Sequence, residues 1–252
     1  GVFAPSGSHV PGTGVDLKKG VIRGEESNGM LCSERELGLS DEHDGIIDLA
    51  EDAPVGMSYA EYAGLDDPVI DIAITPDRAD CLGVRGVARD LAAAGLGTLK
   101  PLDTREVKGT FASPITWDVD VPEPSLVPYV VGRYFKGVKN GPSPKWMQDR
   151  LVAVGLRPIS ALVDITNYMM LDVGRPLHAY DADKVSGGKI RIRLSKAGES
   201  YEALNEKTYT FEDGMLVLGD EHGIDDMAGI MGGERTGCGD ETVNMYLEVA
   251  IF

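Results

Sequence analysis

The sequence predicts an α+β protein of several domains, and three observations carry that prediction. The first fifty residues are dense in Gly and break into short β-like pieces. A single strand-then-helix pattern follows from Val69, and alternation returns after Ile115 with a helical stretch set into it. With 252 residues and 42% hydrophobic content, the chain has apolar material for about two domains.

In order, "GVIRG" and "GMLCSE" read as strands between the turns "PGTG" and "ESNG", which suits a barrel fragment over residues 1–50. "SERELGLSDEHDGIIDL" reads as a helical turn, a loop and a closing strand. "VIDIAITP" alternates like a half-buried strand and stops at Pro76. In "DRADCLGVRGVARDLAAAG", Leu82, Val84, Val87, Ala88, Leu91 and Ala92 recur at helical spacing, Asp77 stands near the start, and Gly95 supplies a stop. Residues 51–103 thus form a small α/β domain, and 104–115, without periodicity, a linker. From 116 to 252 a mixed α/β domain is expected. "YVVGRYFKGV" is its first long strand, "SPKWMQDRLVAVG" a helix capped by Ser143 with Pro144 in its first turn, and "ALVDITNYMML" a buried element of either type. "GKIRIRLSKAGE", "KTYTFEDGMLVLGD", "MAGIMGG" and "TVNMYLEVAIF" are further β-rich pieces.

Composition narrows the function. Lys plus Arg number 24 against 41 Asp plus Glu, a net charge of -17 that repels phosphate at long range, so any nucleic-acid contact is local. Neither a signal peptide nor a membrane-spanning run is evident, and an apolar ending on "LEVAIF" suggests continuation into something longer. Cys32, Cys81 and Cys238 lie far apart, without metal-ligand spacing, and read as buried reduced thiols.

Among motifs, "VDITNYMMLDVGRPLHAYD" sets polar groups among apolar positions: Asn167, His178 and Asp181 could orient a water or a polar ligand, or be satisfied structural residues. Pro176 fixes a turn before His178. "MAGIMGGE" lets backbone approach a ligand through Gly229, Gly232 and Gly233, or makes a tight turn; it is neither GxGxxG nor a Walker A loop. Glu248 sits in "NMYLEVAIF", where alternation alone favours a solvated face. Arg78, Arg85 and Arg89 read as solvated charges on a capped helix, and no metal loop is completed by "DVDVPEP" or "DADKVSGG".

Taken together, "GMLCSERELGLSDEHDGIIDL", "ITPDRADCLGVRGVARDLAA", "LRPISALVDITNYMMLDVGRPLHAYD" and "AGIMGGE…DETVNMYLE" resemble, in order, the bacterial phenylalanyl-tRNA synthetase β-subunit family. The resemblance implies the end of an OB-type tRNA-binding module at 1–50, with Arg23 and Ser27 of its R-G-x-x-S-x-G-M pattern as tRNA contacts. It implies an editing domain, truncated at its C-terminal side, at 116–252. The implied activity is hydrolysis of Tyr wrongly joined to tRNA(Phe), in support of ligation by the α subunit. A pocket shaped for Phe rejects Tyr only modestly, whereas a second pocket that demands the phenol spares Phe.

By the same resemblance Glu248 recognises the phenol. His178, Asn167 and Arg157 line the reacting ester, and Ala228, Gly229, Gly232, Thr166 and Pro176 shape the pocket. The chain itself needs no cofactor; ATP and magnesium serve the whole synthetase. The implied partners are the α subunit, in a cytoplasmic heterotetramer, and tRNA(Phe), with neither DNA nor membrane. The rival reading is a non-catalytic module for tRNA docking or subunit assembly; a deacylase of broader range is a third.

Overall fold

The chain divides at Ile70 in the computed structural model, which describes every residue from Gly1 to Phe252. In the first unit, Gly1–Ile70, strands β1 (Phe3–Pro5), β2 (His9–Val10), β3 (Val15–Asp16), β4 (Gly20–Ile22), β5 (Glu25–Ser27) and β6 (Gly29–Leu31) precede the short helix α1 (Tyr59–Tyr62). They pair as three separate ladders, β1–β6, β2–β3 and β4–β5, rather than as one curved barrel wall. The β4–β5 hairpin turns through Arg23 and Gly24, both at positive φ (52° and 88°), the geometry that matches the twist of two-residue hairpins. The expected helical turn after Cys32 is present: Ser33 N–H donates to Glu36 Oε2 at 2.7 Å, and Glu36 N–H returns to Ser33 Oγ at 3.3 Å. The expected closing strand is not. Ile47 makes one backbone bond to Cys32, and no ladder follows.

The second unit is Asp71–Phe252. "VIDIAITP" forms no strand, because no neighbouring strand offers it a ladder, and Ile72 stays exposed. A 3₁₀ turn at Ala79–Cys81 then leads to α2 (Val84–Ala93), whose N-cap is Gly83, so Asp77 stands outside the helix. Gly95 (φ 79°) stops the chain just beyond α2, as its position in the sequence suggests. After an irregular stretch come β7 (Thr116–Asp120), β8 (Tyr129–Lys136), α3 (Lys145–Ala153), α4 (Ala161–Val173), β9 (His178–Asp181) and β10 (Lys189–Leu194). Six more strands close the unit: β11 (Ser200–Glu202), β12 (Thr208–Thr210), β13 (Leu216–Asp220), β14 (Gly223–Met227), β15 (Met231–Gly232) and β16 (Asn244–Ile251).

"ALVDITNYMML" is thus helix α4. Gly174, at φ 73°, ends it in the left-handed conformation that a Cβ would disfavour. Ser143 does not cap α3. Its hydroxyl donates instead to buried Asp164 at 2.5 Å, and the N-cap position belongs to Pro144.

Two sheets order the unit. One runs β15-β14-β13-β10-β7, antiparallel except for the β10–β7 pair; the other runs β8-β16-β9, wholly antiparallel. They face one another through Tyr180, Tyr246, Ile190, Ile192 and Leu218, with Trp117 and Tyr134 packed alongside. The opposite face of the larger sheet is covered by the β11–β12 hairpin through Tyr201, Phe211, Val217 and Ile224. The opposite face of the smaller sheet is covered by α4 through Leu162, Ala179 and Met245. Strand β16 is therefore central in its sheet and covered on both faces, so the side chains on either side of its pleat are interior.

Candidate functional site

The register of β9, β16 and β8 sets Glu248 opposite His178 on one side and Gly132 on the other. Side chains two residues apart share a face, so Glu248 and Tyr246 of β16, and His178 and Tyr180 of β9, all point between the two sheets. That placement overturns the solvated face which alternation alone favours for Glu248: it is 5% exposed. Tyr180, fully buried, donates its hydroxyl to Glu248 Oε2 at 3.0 Å, while Oε1 accepts no protein hydrogen bond. The larger sheet brings β14 and β15 against the same spot. Asp226 Oδ2 lies 3.8 Å from His178 Nε2, and the backbone of Gly232, the register partner of Asp226, underlies the imidazole. A Cβ at Gly232 would stand 2.9 Å from Nδ1 and 3.0 Å from Nε2, so glycine is what admits the ring. Tyr180 meets the ring edge-on at 4.4 Å between centroids.

The approach to β9 is also held. Gly174 turns the chain, Arg175 donates to the Ala250 carbonyl at 2.5 Å, and exposed Pro176 precedes the strand. Asp181, at the far end of β9, accepts from Thr242 Oγ1 at 2.8 Å and from the Asp183 N–H at 3.1 Å; it is a structural residue.

Electrostatics follow from burial in a neighbourhood rich in acid. Loss of solvent raises the Glu248 carboxyl to about 7, against a smaller opposing effect of the Tyr180 hydroxyl. The same cause pushes Asp226 well above the usual carboxylate range, with repulsion from Glu248 and Asp225 adding to it. Asp225 rises to about 6, since burial outweighs its pairing with Arg235 at 2.6 Å. Burial lowers His178 to about 4, which leaves a neutral imidazole at neutral pH. Its Nε2 is sealed from solvent without a hydrogen-bond partner. The arrangement can accept a hydrogen bond from a ligand hydroxyl at Glu248 and offer a neutral imidazole beside it. The adjacent thiol is no nucleophile: burial raises Cys238 to about 11, and Sγ donates to the Ala179 carbonyl at 3.5 Å. Cys238 is also only partly buried, unlike Cys32 and Cys81; all three are free.

The other sequence-derived candidates stand at varying distance from this cluster. Thr166 and Asn167 are half-buried on α4, with Thr166 Oγ1 returned to the Val163 carbonyl at 2.7 Å. Arg157 is exposed on the loop between α3 and α4, without a hydrogen bond or ion pair. Ala228 packs against the inter-sheet core and bonds Leu216, whereas Gly229 is exposed at φ 69°. Arg23 is exposed at the hairpin turn, and Ser27 donates to the Gly29 carbonyl at 3.1 Å. A cleft of about 390 Å³ lies away from the cluster, lined by Val84, Leu91, Leu99 and Val173 among others. Asp80, Cys81 and Asp90 converge, but Arg78 fills the space among them, bonding Asp80 at 2.9 Å and Asp90 at 2.6 Å, with Arg89 also on Asp80. Arg78 and Arg89 thus pair with acids while their side chains stay 40% and 50% exposed, solvated charges joined in a network. The residue sequence reasoning missed is Asp226; "GIDDM" carries no signal for it beyond two acids inside a strand-length run.

Comparison with known proteins adds the family. The B3/4 domain model matches residues 126–252. The phenylalanine–tRNA ligase β subunit of Cereibacter sphaeroides is 58% identical over 251 residues, 99% of this chain. The chain belongs to the phenylalanine–tRNA ligase β-subunit family. Other β subunits of the family, from Novosphingobium aromaticivorans and Brucella abortus, are each 56% identical across the whole chain. The chain spans 31% of the length of each of these three relatives. A match to an N-terminal phenylalanyl-tRNA synthetase β-subunit fragment from Pyrococcus horikoshii, known from a crystal structure, covers 69% of this chain and 52% of that one at 21% identity and a TM-score of 0.42. The Glu248–His178 cluster lies wholly within the stretch matched by the family's B3/4 domain, and Arg23 and Ser27 lie outside it. No helix is long and apolar enough to cross a membrane.

Proposed function

We propose that this chain is the part of a phenylalanine–tRNA ligase β subunit that hydrolyses Tyr-tRNA(Phe), with residues 116–252 as the editing domain. The observation that carries the reading is Glu248: a carboxyl buried between two sheets, with Oε1 unshared, opposite a neutral His178. A tyrosine phenol entering there gives Oε1 the donor that phenylalanine lacks, and a buried group left unpaired by the wrong ligand costs about 1–3 kcal/mol. His178, with Asn167 from α4, positions the water and the ester, and Arg157 meets the tRNA end. Ala228, Gly229 and Gly232 supply backbone, and Thr166 and Pro176 flank the pocket. Because no activated nucleophile adjoins the cluster, attack is by water rather than through a covalent intermediate.

In this reading Arg23 and Ser27 of the N-terminal unit contact tRNA, local contacts on a chain whose net charge is -17. Aminoacylation, with its ATP and magnesium, belongs to the α subunit of a cytoplasmic heterotetramer. The test is deacylation by a synthetase carrying this chain: Tyr-tRNA(Phe) is hydrolysed at least tenfold faster than Phe-tRNA(Phe). Equal background rates for both would refute it.

One observation favours the rival reading, a docking or assembly module. Glu248 already has a protein partner in Tyr180, as a purely structural carboxyl would. That reading expects Glu248 substitutions to weaken folding or subunit assembly and to leave deacylation unchanged.

A further inference from the structure

Asp226 has no part in the site as described, although it lies within it. It is 6% exposed, and its one ionic neighbour is the His178 ring, with Oδ2 3.8 Å from Nε2. The groups that face it are acids and phenols: Glu248 from β16, Tyr180 from β9, Tyr201 from β11 and Asp225 from its own strand. Tyr201 is occupied, donating to the Met231 carbonyl at 3.0 Å. The nearby cation is also occupied: the Arg235 guanidinium is spent on Asp220 at 2.7 Å and on Asp225 at 2.6 Å.

A buried carboxyl with two carboxyl neighbours and no cation of its own is held as the neutral acid, which has one O–H to give. The acceptor in reach is His178 Nε2, a sealed atom with no other partner. In a neutral imidazole one nitrogen donates and the other accepts, so the partner of Nε2 decides where the ring proton sits. With no Cβ at Gly232, the Nδ1–Cε1–Nε2 edge lies against its backbone on the side where Asp226 stands, and closing the 3.8 Å gap to a hydrogen bond takes about 1 Å of side-chain rotation.

We propose that Asp226 is a positioning residue of this pocket: as the neutral acid it donates to His178 Nε2, which places the imidazole proton on Nδ1 and makes His178 a hydrogen-bond donor toward the scissile ester. No proton is transferred; the carboxyl keeps its proton and the ring keeps its own. The proposal rests on the editing reading for the identity of the ester, whereas the Asp226–His178 bond stands independently of it. It also reverses the usual assignment of a histidine beside a carboxyl, in which an ionised acid would leave the ring a base.

The chain has four histidines, His9, His43, His178 and His222, so ring-¹⁵N-histidine labelling gives a spectrum in which His178→Gln assigns the His178 signals. At pH 7 the wild-type chain and Asp226→Asn, whose amide N–H₂ also donates, show Nδ1 protonated. Asp226→Ala, which removes a buried acid that has no cation partner, shifts the proton to Nε2 in most molecules. Ionisation of Asp226 as the pH is raised inverts the tautomer in the wild type and not in Asp226→Asn. A wild-type Nε2–H form at pH 7, or a tautomer indifferent to Asp226→Ala, would overturn the proposal. In the intact synthetase, Asp226→Ala lowers kcat for Tyr-tRNA(Phe) hydrolysis about tenfold at unchanged KM, and Asp226→Asn retains it; equal kcat in all three proteins also overturns the role. A wild-type synthetase that hydrolyses no Tyr-tRNA(Phe) refutes the editing reading instead, and the ring signals still decide the Asp226 bond.

Discussion

Replacing Gly232 with alanine puts a methyl group against the His178 ring. The built Cβ stands 2.9 Å from Nδ1 and 3.0 Å from Nε2, and nearer still to Cε1, where carbon–carbon contact wants about 3.5–4.0 Å. The ring must therefore move by more than about 1 Å, away from Gly232 and off the edge-on contact with Tyr180. Moving the strand instead would break the bond from Leu204 N–H to the Gly232 carbonyl at 3.0 Å. Overpacking of this kind costs about 1–3 kcal/mol of stability, and a displacement near 1 Å at a reacting group costs about 100-fold in rate. The backbone of Gly232 is not at positive φ, so alanine is tolerated conformationally and the effect is steric. The assay pairs urea unfolding with Tyr-tRNA(Phe) hydrolysis by the intact synthetase. Loss of rate with loss of at most a few kcal/mol is the expected outcome. Full activity in a protein destabilised by that amount would show that the ring can move without consequence, and would refute its placement in the reaction.

Two further predictions concern stability. The folded Glu248 carboxyl holds its proton up to about 7 against an ordinary 4.5, so its contribution is greatest below pH 4.5 and is lost as pH rises to 7. Glu248→Gln removes that dependence, by up to about 1.4 kcal/mol per pH unit in this window; the opposing effect of His178, lowered to about 4, is present in both proteins and drops out of the difference. Parallel denaturant curves at pH 5 and 7 check it, and an unchanged difference between the two proteins contradicts it. Asp164→Ala strips partners from the Ser143 hydroxyl and the Ile159 N–H, at 2.5 and 2.8 Å, and should cost about 2–4 kcal/mol; a urea midpoint within error of wild type would show that α3 and α4 do not depend on it.

Local pattern was legible wherever the chain makes its own case. The turn at "PGTG", the stop at Gly95 and the strands from Thr116 onward follow from residues close in sequence, whereas "ESNG", read as a turn, lies mostly in β5 and β6 and the chain turns instead at Arg23–Gly24. Pairing was not. "VIDIAITP" has a strand's alternation without a neighbour to complete its ladder, and the hydroxyl of Ser143 goes to Asp164, 21 residues away, rather than to its own helix. Glu248 shows the limit most clearly: alternation gives its face, but whether that face meets water depends on β14 and β15 folding over it. The family resemblance supplied Glu248 and His178 because long motifs carry them. Asp226 was hidden, since an acid in "GIDDM" looks solvated until the larger sheet is placed against β9.

The central claim is that Glu248 reads the phenol. The direct measurement is hydrolysis of Tyr-tRNA(Phe) and Phe-tRNA(Phe) by the complete synthetase carrying this chain, wild type beside Glu248→Ala. Selective loss of Tyr-tRNA(Phe) hydrolysis, at least tenfold, with subunit assembly intact is the predicted result. Unchanged discrimination between the two substrates in the variant would contradict it.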